Sequence, residues 1–81
     1  MSKVAEAMET YAIVLVNHTL EETKAFLEEN GYFVIHEEPE ILHDGDIREL
    51  GLVVVEGLED PTKYGIHKTR PNIDGEQLYY W

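Results

Sequence analysis

The residues best suited to chemistry lie between His36 and Asp46. His36, Glu37, Glu38, His43, Asp44 and Asp46 fall within eleven residues, and two histidines with a carboxylate are a possible zinc donor set. The spacing argues against a site. No His-x-His or His-x-x-x-His pair exists, and the segment is turn-like, so these side chains read as surface polar residues. Asp44-Gly-Asp46 lacks the later ligands of a calcium loop. There is no cysteine, and the one serine, Ser2, sits at the terminus, which leaves no thiolate or serine nucleophile. Gly45, Gly51, Gly57 and Gly65 are isolated, not a phosphate-cradling loop. The adjacent pairs Glu21-Glu22, Glu28-Glu29 and Glu37-Glu38 read as solvated, whereas an acid–base pair needs a cleft and two distinct environments. The expectation is a protein that is not an enzyme and that uses no metal or cofactor.

The elements that must position these residues are organised around Thr10–Ile35, which reads as strand, helix, strand. Residues 11–16 are apolar on both parities, the pattern of a central strand. Thr19-Leu-Glu-Glu22 is a capping box, and Gly31 after Asn30 supplies a left-handed stop. Leu20, Thr23, Phe26, Leu27 and Asn30 share one helical arc; Glu21, Glu22, Ala25, Glu28 and Glu29 share the opposite one. Residues 32–37 read as a second strand, and Pro39 ends its pairing or marks an edge. Ile41-Leu42 suggests a short return strand, His43–Asp46 a turn, and Asp46-Ile-Arg-Glu49 a second, one-turn capping box. Leu52–Glu56 is a strand bounded by glycines, and Glu59–Thr62 is a turn. The stretches 63–68 and 76–80 alternate like strands, with Asp74-Gly75 turning the chain into the last.

These elements predict a two-layer α+β domain over residues 10–81, preceded by an N-terminal tail at 1–9. It has a small mixed sheet of three to five strands and one principal amphipathic helix, in the order β-α-β-β-β. One helix covers one sheet face. Tyr79, Tyr80 and Trp81 are the candidates to cover the other, or to form a dimer contact.

The charge is unusual: seventeen acids against six bases give −11. Residues 1–60 hold fifteen acids and three bases, a net −12; residues 61–81 hold two acids and three bases, a net +1. Direct binding to nucleic acid or an anionic membrane is not expected, because phosphate contacts need Lys and Arg. A basic partner would be steered in over long range. No leader segment and no apolar run near ~18 residues is visible, which suggests a cytoplasmic protein.

The candidate partner-binding set is Glu21, Glu22, Glu28, Glu29, Glu37, Glu38, Glu40, Asp44 and Asp46. Carboxylates seven residues apart on a helix stand ~10 Å apart along its axis, a coarse match to a phosphate array. The bland reading of this face is a solvated, solubilising one. The functional reading is a small acidic protein that inhibits or regulates a basic, nucleic-acid-binding protein by DNA or RNA mimicry. In size and charge, though in no motif, the chain resembles the small acidic inhibitors that phages make against host nucleases, repair enzymes, restriction systems and CRISPR complexes. Such a resemblance implies a counter-defence role in the host cytoplasm. The rival is a structural or regulatory α+β module that dimerises, or binds a protein or small ligand, through aromatic surface. In that case deleting Tyr79-Tyr80-Trp81 should break a dimer without unfolding the monomer.

Overall fold

The helix begins and ends where its capping residues dictate. In the computed structural model, which describes residues 8–81, α1 spans Leu20–Glu29. The Glu22 amide donates to Thr19 Oγ1 at 3.1 Å and the Thr19 amide donates to Glu22 Oε1 at 2.9 Å, closing the capping box. At the other end Gly31 takes φ +90°. Its amide bonds to the Glu28 carbonyl at 3.2 Å, and the Tyr32 amide bonds to the Leu27 carbonyl at 3.0 Å. These are the two bonds of a Schellman stop. Thr23 and Leu27 are buried beneath α1, and Phe26 packs at the margin of the core.

The strands are β1 (Glu9–Leu15), β2 (Phe33–Glu38), β3 (Ile41–His43), β4 (Ile47–Glu49), β5 (Gly51–Gly57), β6 (His67–Lys68) and β7 (Leu78–Tyr80), with a 3-10 helix at Pro61–Tyr64. Five of them form a mixed sheet in the order β2-β5-β1-β7-β6. Strand β1 is central, antiparallel to β5 from Glu9↔Gly57 to Leu15↔Gly51 and parallel to β7. The result is the α+β architecture expected: one helix on a small mixed sheet. The expected tail at 1–9 lies outside the described residues except for Met8 and Glu9, and Glu9 already opens β1.

Tyr11, Ile13, Leu15, Val53, Val55 and Tyr79 point from the sheet toward α1 and are all buried. Leu27, Tyr32 and Ile66 complete this core. The Tyr11 ring meets Tyr32 edge-on at 6.2 Å and Tyr79 at 5.7 Å, the geometry the aromatic quadrupole favours. Gly57 is required by one of these rings: a Cβ there would stand 2.3 Å from Tyr32 Cδ1.

Strands β1 and β2 are parallel, with β5 between them pairing with both; β2 is a sheet edge, one of the two outcomes Pro39 allowed. Three expectations are corrected. Asp46–Glu49 is not a helical turn. It contains β4, paired antiparallel with β3. Residues 63–68 give a 3-10 turn and then only two residues of strand, because Gly65 at φ +91° reverses the chain. The C-terminal aromatics form no layer over the second sheet face; Tyr79 and Tyr80 are part of β7 in the sheet itself, and Trp81 follows it.

The hairpin of β3 and β4 prolongs the hairpin of β2 and β5. Glu38 faces Leu52 and, three residues on, Ile41 faces Glu49, in one unbroken register. Pro39 interrupts the ladder because it has no amide to donate. Gly45 at φ +81° and Asp46 at φ +63° reverse the chain at the tip; a short polar side chain tolerates the left-handed region better than most. Every residue from Ile35 to Leu50 is exposed, so this arm stands off the body.

Candidate partner-binding surface

The nine acidic candidates divide between α1 and the arm. Glu21, Glu22, Glu28 and Glu29 are exposed on the outer face of α1, as the helical arc requires. Glu22 is engaged locally, since the Thr19 amide on its carboxylate holds its pKa below the usual range. Glu37 lies 3.0 Å from Lys24 Nζ, which ties β2 to the helix and raises the lysine pKa. Glu38 lies 2.8 Å from His36 Nε2. Glu40 accepts from Arg48 Nε at 2.8 Å across the base of the arm. Asp44 and Asp46 sit at the exposed arm tip. Among the described residues, Glu21, Glu28, Glu29, Asp44 and Asp46 take part in no ion pair.

The histidines follow the same local pattern. His36 pairs with Glu38, and His43 Nε2 lies 3.2 Å from Glu49. Among the described residues no group of three His, Asp or Glu side chains is placed to hold a metal ion. No helix among them is long and apolar enough to cross a membrane.

The arm base and the start of α1 frame an open cleft of about 500 Å3, lined by Leu15, His18, Leu20, Pro39, Glu40 and Arg48 among others. Its polar atoms are largely committed. Arg48 and Glu40 bind each other, and the Thr19 hydroxyl caps the helix. His18 Nδ1 is buried and, among the described residues, has no hydrogen-bond partner; its ring is stacked on Trp81 at 3.6 Å and 11°.

The three aromatic candidates part company. Tyr79 is 4 % exposed, deep in the core, and its hydroxyl donates to Asp60 Oδ2 at 3.2 Å. Burial raises the Tyr79 pKa, while the Thr62 amide lowers that of Asp60. Trp81 is half-buried; Phe26 stacks on it at 4.4 Å as His18 does. Tyr80 points away from α1, stacked on His67 at 5.0 Å.

One surface carries no candidate from the sequence except Tyr80 and Glu38. By register, Ala12, Val14, Leu52, Val54 and Leu78 share the sheet face opposite α1. They are only half-buried, and among the described residues no element lies over them. The signal in the sequence was the apolar character of β1 and β5 on both parities.

No protein-family model matches the chain, and neither a curated protein nor a solved structure does.

Proposed function

We propose that the chain is a small acidic binding protein that occupies the basic nucleic-acid groove of another protein and so inhibits or regulates it. The observation that supports this reading is the outer face of α1. Among the described residues, Glu21, Glu28 and Glu29 are exposed there without a cation, and the one base of the helix, Lys24, is committed to Glu37. Seven residues of helix place Glu21 and Glu28 ~10 Å apart along the axis, the span of about three phosphates on one strand. Asp44 and Asp46 add a second acidic patch at the arm tip. Nucleic acid itself is not the ligand of a chain at −11. A phage counter-defence role in a host cytoplasm belongs to the same proposal and rests on size and charge alone.

The test is displacement of labelled duplex DNA from purified DNA-binding enzymes with basic grooves, read by fluorescence anisotropy. The expected result is displacement of DNA from at least one of them. The chain's own affinity for that enzyme should fall at least ~10-fold between about 50 and 500 mM salt, as contacts made through charge do. The triple variant Glu21→Gln, Glu28→Gln, Glu29→Gln should displace at least ~10-fold less well. Equal displacement by the variant, or binding indifferent to salt, refutes the reading.

A further inference from the structure

The sheet face opposite α1 is prolonged by the arm beyond the interruption at Pro39. Along β5 and toward β4, Val54, Leu52 and Leu50 lie on the same side, by the alternation of the strand. Val14 faces Leu52 on that side, and Val16, two residues on, is 40 % exposed. Phe33 and Leu42 extend the strip at its two ends and are the most exposed of its members, at 64 % and 71 %. Acids are sparse on this side. Glu56 and Glu38 stand at its rim with His36 and His67, and Glu76 adjoins Ala12 and Val54. The four helix carboxylates point the other way.

We infer that this face is an interface with a second copy of the chain, formed sheet to sheet with the acidic helices outermost. Charge decides between occupants. Among the described residues, a basic partner gains most at α1, where Glu21, Glu28 and Glu29 stand together without a cation, and less on a face with two unpaired acids, Glu56 and Glu76, set among apolar side chains. A second copy meets less repulsion there than it would at α1. Sheets pack ~10 Å apart and each helix layer stands about 10 Å beyond its own sheet, so the two acidic helices would be ~30 Å apart. That is about three screening lengths at physiological salt.

Area is consistent with this occupant. A paired residue covers about 16 Å2 of sheet, so the five strands and the arm present a footprint of roughly 550 Å2. Side-chain relief raises accessible area above the flat footprint, toward the roughly 800 Å2 per partner of a standard interface. A closed two-fold pair would also cover the same face on both copies and leave none for further growth.

Sedimentation equilibrium of the full chain between roughly 10 and 500 µM tests the inference. The expected result is a monomer–dimer equilibrium that persists in ~1 M salt. Val54→Glu, at the centre of the face, should raise the dissociation constant at least ~10-fold. Because a central strand tolerates charge poorly, the paired variant Phe33→Ser, Leu42→Ser is measured beside it. Both of its side chains are exposed in the monomer, so its circular dichroism should be unchanged while its dimer weakens. Glu28→Gln with Glu29→Gln should leave the dimer intact. A folded monomer throughout the concentration range overturns the inference, as does a dimer that survives both sets of face substitutions.

Discussion

Deleting Tyr79, Tyr80 and Trp81 should unfold the protein, not merely strip a surface. Tyr79 contributes a buried ring, and truncating an aromatic of that kind costs about 3–5 kcal/mol. Trp81 is stacked by two rings, each worth about 0.5–1.5 kcal/mol beyond area. The Trp81 amide donates to the Val14 carbonyl, and the Trp81 carbonyl accepts from the Val16 and Asn17 amides. Each of those bonds is worth about 1 kcal/mol. The sum, roughly 7–11 kcal/mol, compares with a total stability of about 4–12 kcal/mol for a chain of this length. The milder substitution Trp81→Ala keeps the backbone bonds and should cost about 2 kcal/mol. With a urea slope near 1 kcal/mol per molar, that lowers the midpoint by about 2 M. Far-UV circular dichroism is the assay for both variants, since Trp81 is the chain's one tryptophan. A chain ending at Leu78 with the wild-type midpoint would refute the argument, and would return the aromatic end to the role of a detachable contact.

Two further outcomes follow from the core. Gly57→Ala should destabilise by about 2 kcal/mol, because the new Cβ meets the Tyr32 ring, which is fixed by its neighbours and by a 2.6 Å hydrogen bond to the Glu59 carbonyl; the check is its urea midpoint. The Tyr11 and Tyr32 hydroxyls are both pushed up to about 12, chiefly by burial, with Glu9 adding to the first and Tyr64 to the second. A folded pKa above the unfolded value of 10.0 stabilises fully below pH 10, and that stabilisation is lost as pH rises toward 12. Alkaline unfolding is therefore expected in that window, with ultraviolet phenolate titration tracking the loss of dichroism, and Tyr11→Phe should lessen the dependence.

The parts of the fold legible in the sequence were those governed by local chemistry. Thr19, Glu22 and Gly31 specify the ends of α1 through bonds within a few residues of each other, and the structure forms those bonds. The β1 sequence, apolar on both parities, marks a central strand and becomes one. Long-range pairing decided the rest. Asp46-Ile-Arg-Glu49 satisfies a capping pattern, yet the register set by β2 and β5 carries through Pro39 and makes Ile47–Glu49 a strand. Phe33-Val-Ile35 is as apolar as β1, but β5 enters between them and leaves β2 at the edge, with Phe33 and Ile35 exposed. For the surface, the sequence located every acid and could not show which were already engaged, because Lys24–Glu37 and Arg48–Glu40 join residues 13 and 8 positions apart.

Net charge therefore overstates the acidic surface available to a partner. Of the nine candidates, Glu22 holds the helix start and Glu37, Glu38 and Glu40 each face a base or a histidine. What remains is a short row on α1 and a pair at the arm tip, both on structure whose apolar side faces elsewhere. Uncovered apolar groups such as those of the open sheet face invite association. That face carries Glu56 and Glu76 without an ion-pair partner among the described residues, while the row Glu21, Glu28 and Glu29 lies on the opposite layer. An apolar face and an acidic row on opposite layers provide for two separate contacts, one less sensitive to salt and one more so. Measuring self-association and groove competition across the same salt series would separate them, because the two contacts must respond differently.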